Sequence, residues 1–262
     1  MQTVPLWLWF NLLSLDAVAV AVGWQLVFAR SFHVHVPAVA TTILGLCVWL
    51  IYAADRLLDA RAGADATPRH RFYRRYARRI MPLLAIGATL AAVLVLSKLD
   101  AGILNAGVQM AFVMIVYFTI THAAPRSWAA WWPKELTVAI LFALGTCLPV
   151  YAEAPETVPA ILAPIAIYAW LIWMNAIGID RWEHGRLTSW MAPLALGACF
   201  VSILLAFLTG RIFLYGAAAL AGFGLAILAH ERRRLSRISL PFFADAALAI
   251  PAFAVLAIWF AS

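Results

Sequence analysis

Long apolar stretches dominate the chain, and short polar connections separate them. Each stretch is about 20 residues long, the length that an α-helix needs to cross the hydrocarbon core of a bilayer. The pattern predicts nine transmembrane helices at residues 5–29, 37–59, 80–97, 102–121, 135–153, 158–179, 188–207, 211–229 and 241–260. We therefore expect an all-α, multi-pass membrane protein in which residues 1–262 form a single domain.

Composition supports a membrane protein and excludes a soluble one. The chain is 65% hydrophobic and 12% charged, whereas soluble chains are about 45–50% apolar and about 25% charged. The first apolar stretch has neither a basic leading segment nor a small-residue cleavage site, so we expect a retained helix rather than a signal peptide.

The distribution of basic residues predicts the orientation. Nearly all Lys and Arg follow the second, fourth, sixth and eighth apolar stretches, and only Arg30, Lys98 and Arg211 fall in the other connections. The positive-inside rule then places the N-terminus in the cytoplasm and the C-terminus outside, in an integral inner (cytoplasmic) membrane protein. A net charge of +7 favours contact with anionic membrane lipids. We expect no nucleic-acid partner, because the Arg residues lie in short loops between spans.

Two carboxylates follow directly on the second apolar stretch, in "VWLIYAADRLLDARAG". Asp55 and Asp59 are four residues apart, which places both on one face of a helix. Two such carboxylates repel each other unless a positive group lies between them. Mg²⁺ is a candidate, since one or two carboxylates with substrate phosphates and waters usually bind it. Alternatively, Asp55 pairs with Arg56 or Arg61, and Asp59 ends the helix in solvent.

A second polar group ends the sixth apolar stretch, in "WMNAIGIDRWEHGR". Asp180 and Glu183 are three residues apart and can share a helix face. Asn175 lies deeper in the span and needs a polar partner there. The alternative is an ordinary helix end with solvated charges.

Eight Arg residues lie between Arg56 and Arg79. They suffice as an anchor on anionic headgroups. Alternatively, one or two of them, with Arg71 as a candidate, bind a diphosphate, because guanidinium groups match phosphate oxygens in pairs.

Asp16 is an acid in the middle of the first predicted span, which also contains Asn11. An acid at that depth faces the bundle interior and is a functional candidate, although it could equally be a buried structural partner. Asp245, near the start of the last span, is a weaker case of the same kind.

The layout of nine helices with two acidic clusters on one face resembles the UbiA superfamily of intramembrane prenyltransferases. The first motif of that family is Asn-Asp-x-x-Asp-x-x-x-Asp. In "IYAADRLLD", the last two acids correspond to Asp55 and Asp59, and Arg56 follows the first of them. Ile51 and Tyr52 stand where the family has Asn and Asp.

The resemblance continues in the second half of the chain. The second family motif is usually Asp-x-x-x-Asp, and "NAIGIDRWEHG" offers Asn175, Asp180 and Glu183, with Ala176 four residues before Asp180. Lys134 corresponds to a basic residue that precedes a small-residue-rich helix in the family. Only part of each family motif is therefore present.

The resemblance implies Mg²⁺-dependent transfer of a prenyl group from a polyprenyl diphosphate to a lipophilic acceptor, including an aromatic one. It implies that the catalytic and metal-binding residues are Asp55, Asp59, Asp180 and Glu183. The substrate-binding candidates are Arg56, Arg71, Lys134, Asn175, Asn11 and Asp16. Alternatives are a terpene cyclase, a diphosphate-releasing relative, or a non-enzymatic protein that binds an isoprenoid lipid or carries a solute.

Overall fold

A computed structural model describes residues 6–61, 68–123, 133–186, 189–236 and 238–261. Within these residues the chain is helical and contains no strand. The helices are α1 Leu6–Leu12, α2 Leu15–Ser31, α3 Ala38–Arg61, α4 Pro68–Lys98, α5 Ala101–Ala123, α6 Lys134–Glu153, α7 Val158–Glu183, α8 Met191–Thr209, α9 Ile212–Glu231 and α10 Leu240–Ala261. Short 3₁₀ turns at Pro155–Thr157 and Arg232–Arg234 follow α6 and α9.

Eight of these helices, α3 to α10, are long and apolar enough to cross a membrane. This finding confirms a polytopic all-α membrane protein. The prediction of one unbroken helix over 5–29 was wrong, because the chain turns at Leu13 and Ser14 and forms α1 and α2 instead. At 17 residues, α2 lies at the lower end of the roughly 17–25 residues that span a bilayer, so a ninth span stays a prediction.

Polar contacts explain the break between α1 and α2. Ser14 adopts a left-handed backbone conformation with φ of 59°, which an α-helix does not tolerate. The Asn11 side-chain amide donates to the Asp16 carboxylate, and the Arg56 guanidinium of α3 donates to the Asn11 carbonyl oxygen. These bonds satisfy backbone and side-chain groups that would otherwise be unpaired inside an apolar bundle.

Helix α4 is longer than its apolar stretch. The predicted span begins at residue 80, but the helix begins at Pro68, because proline is well suited to a first helical position. Much of the Arg-rich segment is therefore the first three turns of a helix rather than a loop.

Six helices, α2 and α6 to α10, form the main core. Its centre is aromatic, since the Trp24 ring stacks on Tyr168 with centroids 4.5 Å apart. Helices α8 and α9 make the most extensive contact among the described helices, and small residues permit close packing of this kind, as is usual in membrane bundles. Gly210, with φ of 71°, ends α8 and makes the turn between them.

Helices α4 and α5 lie at the edge of the bundle, and only 11% of the apolar segment of each helix is buried. Helix α4 packs mainly on α3, and α5 packs mainly on α6. Helices α3, α5 and α6 share a small buried cluster of Ala40, Ile103 and Leu148, and beyond it they line a cavity.

Candidate functional site

The cavity has a volume of about 740 Å³ and is lined mainly by α3, α5, α6 and α7. On α3 its lining extends from Ala40 to Asp59. At 1.5 Å per residue, that stretch is about 28 Å long, close to the thickness of the hydrocarbon core. Most of its walls are apolar, and they include Leu44, Val48, Leu104, Met114, Leu141 and Phe142.

All four predicted carboxylates line this one cavity. Asp55 and Asp59 lie on the last two turns of α3, and Asp180 and Glu183 lie on the last turns of α7. The helix periodicity explains the pairing within each helix. The convergence of the two pairs at one end, here called the mouth, comes from the packing of the bundle.

Cationic groups lie at the mouth beside the acids. Lys134, the first residue of α6, lines the cavity, and its ammonium charge interacts with the Asp55 and Asp59 carboxylates. Arg69 forms an ion pair with Glu183, and the two side chains are 15% and 16% exposed. Phosphate oxygens entering the mouth would therefore meet both acids and their counter-charges.

Asp180 is more exposed than Glu183, with 38% of its side chain accessible against 16%. Its carboxylate lies 3.3 Å from His184 Nδ1 and 3.9 Å from an Arg186 guanidinium nitrogen. Exposed pairs of this kind stabilise a fold by only about 0–1 kcal/mol. Asp180 is thus held loosely, whereas Glu183 is held firmly by Arg69.

The residues at the mouth fit a magnesium ion unequally. Asp55 and Asp59 offer the hard oxygen ligands that Mg²⁺ takes together with phosphates and waters. Across the described part of the chain, no group of three or more His, Cys, Asp or Glu side chains could hold a metal ion. Glu183 fits less well, because a metal there would have to replace Arg69.

A second polar cluster lies deeper, between the mouth and the apolar walls. The Asn175 amide donates to the Asp245 carboxyl at 2.7 Å. Asn175, Asp245 and Tyr52 line the cavity. Asp16 lies behind them, 6% exposed and bonded to Asn11.

The structure separates the predicted substrate-binding residues into two groups. Lys134, Asn175 and Arg56 line the cavity, whereas Asn11 and Asp16 lie behind its wall. Among the described side chains, Arg71 is exposed and does not line the cavity.

Arg69 lines the cavity in place of Arg71. The helical spacing along α4 indicates this position, since Arg69 shares a helix face with Tyr73 and Ile80, which are buried, and with Tyr76, which is half-buried.

The sequence pattern understates two cavity residues. It makes Asp245 a weaker candidate than Asp16, yet Asp245 lines the cavity and Asp16 does not. Tyr52 was noticed only because it replaces an acid of the family motif. Helix periodicity could have identified Tyr52, because it lies three residues before Asp55 and therefore shares a helix face with that predicted ligand.

In comparisons with known proteins, no family model, no curated protein and no solved structure matches this chain. The chemistry of the site is therefore inferred from its own residues. Those residues form a cavity with acids and cations at one end and apolar walls along its length.

Proposed function

We propose that the protein is a Mg²⁺-dependent intramembrane prenyltransferase, a divergent relative of the UbiA superfamily. It would transfer a prenyl group from a polyprenyl diphosphate to a lipophilic acceptor. The observation that carries this proposal is the single cavity, which joins four carboxylates and their cations at its mouth to a long apolar interior. A polyprenyl diphosphate has the same division, because a charged head is attached to a long apolar tail.

Each part of the cavity has a role in this proposal. Asp55 and Asp59 would hold Mg²⁺, and Lys134 and Arg69 would bind the diphosphate oxygens. When bound, Mg²⁺ would stabilise the negative charge that builds up on the leaving diphosphate. Lys134 contributes in the same way, because a fixed cation near the departing oxygens lowers the barrier to ionisation. The apolar walls exclude water from the allylic cation.

The asymmetry of basic residues supports a mouth that faces the cytoplasm, in a nine-span inner-membrane protein. Water-soluble Mg²⁺ and diphosphate would then enter and leave on that side. The lipophilic substrates would enter from the bilayer between α3 and α5, which both line the cavity.

A second candidate is a protein that binds an isoprenoid lipid, or carries a solute, without catalysis. The ion pair between Arg69 and Glu183 favours this candidate, because it occupies an acid that a second metal would need. A terpene cyclase or a diphosphate-releasing enzyme would use the same mouth without an acceptor. The two enzymes differ from a prenyltransferase in their products, and the non-catalytic protein forms none.

The test is incubation of the purified protein in liposomes with geranylgeranyl diphosphate and Mg²⁺, with released diphosphate and lipid products measured. We expect Mg²⁺-dependent release that Asp55→Asn and Asp59→Asn each reduce by at least about 100-fold, since an amide binds a hard cation poorly. Asp100→Asn is the matched control, because Asp100 is exposed between α4 and α5 and does not line the cavity. Unchanged release in both folded variants would exclude a metal role for α3.

A further inference from the structure

Two arginines meet at the end of the bundle opposite to the mouth. Arg30 is the second-last residue of α2, and Arg211 directly precedes α9. Helix α3 leads from this end of α2 to the mouth, so both arginines lie at the far end of the helices. Helices α2, α9 and α10 all contact one another, and their ends form one corner of the bundle. Neither arginine lines the cavity, so the corner is separate from the candidate active site.

Aromatic rings hold both guanidinium groups at this corner. The guanidinium carbon of Arg211 lies 4.4 Å from the centroid of the Phe32 ring. The guanidinium carbon of Arg30 lies 5.0 Å from the centroid of Phe260 and 5.8 Å from that of Trp259. Contacts at these distances are attractive, because the face of an aromatic ring is negative. The rings therefore position both cations at the surface.

Two links across the corner bring the arginines near each other. Phe32, which contacts Arg211, lies two residues after Arg30 in the chain. Trp259, which contacts Arg30, packs against Phe213 with ring centroids 4.6 Å apart. Phe213 in turn lies two residues after Arg211. The two guanidinium groups therefore flank one group of aromatic rings.

No carboxylate within the described ranges pairs with either arginine. Arg30 is exposed and Arg211 is half-buried. A ring face attracts a guanidinium but does not replace the oxygen acceptors that its five N–H donors take in an ion pair. Two cations placed side by side also repel each other, and an anion between them removes that repulsion. The corner therefore fits an anion that offers several oxygen atoms.

The surroundings of the corner favour a lipid headgroup as this anion. The ends of membrane helices lie at the level of the headgroups, where tryptophan is also common. Apolar side chains beside the arginines are open to the bilayer, since Phe260 is 75% exposed and Ile212 is 67% exposed. A phosphate that carries acyl chains would contact the arginines and these apolar groups together.

We propose that Arg30 and Arg211 bind the phosphate of an anionic glycerophospholipid at this corner. Guanidinium groups match phosphate oxygens with pairs of N–H donors. The site should prefer phosphatidylglycerol to phosphatidylcholine, because the choline ammonium would add a third cation beside the two guanidinium groups. This binding does not depend on the proposed prenyl transfer.

Lys98 provides a comparison at the same end of the bundle. It is exposed at the end of α4, and it lies over no aromatic ring in the described part of the chain. An exposed lysine of this kind attracts anionic headgroups without holding one of them in place. Lys98→Met is therefore the matched control for loss of one positive charge.

The experiment titrates the purified protein in detergent with dioleoyl phosphatidylglycerol or dioleoyl phosphatidylcholine and counts bound lipids by native mass spectrometry. We expect one phosphatidylglycerol to bind at least about tenfold more tightly than phosphatidylcholine, and Arg30→Met or Arg211→Met to weaken it about tenfold, as loss of one charge-assisted contact does. Arg211→Lys keeps the charge but not the paired donors, so it should weaken binding by only about threefold. Lys98→Met should bind the lipid as tightly as the unsubstituted protein.

Two measurements on the unsubstituted protein test the inference whether or not the variants fold. Equal binding of the two lipids would show ordinary headgroup contact and would overturn the site. An excess of inorganic phosphate should leave the lipid bound, because it lacks the apolar chains that contribute to binding. Displacement of the lipid by phosphate would assign the corner to a soluble anion instead. Full phosphatidylglycerol binding by a folded variant that lacks both arginines would also overturn the proposal.

Discussion

The ion pair between Arg69 and Glu183 joins α4 to α7 across the cavity mouth, and its removal should be costly. Both side chains are about 15% exposed. Replacing one partner leaves the other charge largely buried and unpaired, which typically destabilises a protein by about 3–5 kcal/mol. We expect about 3 kcal/mol for either Arg69→Met or Glu183→Leu, because the mouth gives each remaining charge some access to water.

The double variant, Arg69→Met with Glu183→Leu, should be much more stable than the two single losses predict. Replacing both members of a buried ion pair with apolar groups is often neutral, because the desolvation cost disappears with the attraction. We expect a net loss of at most about 1 kcal/mol and hence a coupling energy of several kcal/mol of the kind a double-mutant cycle measures.

Thermal melts in detergent, followed by tryptophan fluorescence, are the assay. At about 2–4 °C per kcal/mol for a chain of this size, each single variant should melt about 6–12 °C below the unsubstituted protein. Arg71→Met is the matched control, since Arg71 is exposed on the same helix, and it should shift the melt by less than 2 °C, or about 0.5 kcal/mol. Additive losses in the double variant would refute the ion pair.

Two further predictions concern packing and topology. Gly222→Ala should destabilise the protein by about 1–3 kcal/mol, because the new Cβ would lie 2.9 Å from the Ala195 backbone oxygen. Gly216→Ala on the same helix is the control, since its new Cβ would meet nothing within 4 Å and should not destabilise the protein. A stable Gly222→Ala variant in the same melt would contradict the close approach of α8 and α9. In a background without the native cysteines, Arg74→Cys and Glu156→Cys should react with a membrane-impermeant maleimide from opposite sides of the membrane, and labelling from one side would exclude the proposed topology.

The transmembrane helices were predictable because burial in lipid depends on length and apolar content alone. Helix α3 begins one residue from its predicted start, and α6 matches its predicted span to within one residue. The break at Leu13 and Ser14 was not predictable in this way. It depends on Arg56, which reaches Asn11 from another helix, and composition carries no record of such a contact.

In the candidate site, too, contacts within one helix were predictable and contacts between helices were not. Spacing within one helix placed Asp55 with Asp59, and Asp180 with Glu183, because neighbours on a helix face follow from its periodicity alone. Contacts between helices depend on packing. The sequence therefore indicated neither the partner of Glu183 nor the bond between Asn175 and Asp245, which requires α7 and α10 to be adjacent.

Helix packing also decides what Glu183 does when a ligand is present, and the Arg69–Glu183 cycle can measure it. If Glu183 binds a second metal, Mg²⁺ with a diphosphate should draw Arg69 onto phosphate and separate the two side chains, because a divalent cation competes for the carboxylate. The coupling energy between Arg69 and Glu183 should then fall by more than half when geranylgeranyl diphosphate and Mg²⁺ are added to the melts. If only Asp55 and Asp59 bind metal, Arg69 can keep Glu183 with one guanidinium nitrogen and bind phosphate with its other N–H groups. The coupling should then persist while the unsubstituted protein is still stabilised by its ligands. An undiminished coupling would show that Glu183 serves to hold α4 against α7. The metal site would then consist of Asp55 and Asp59.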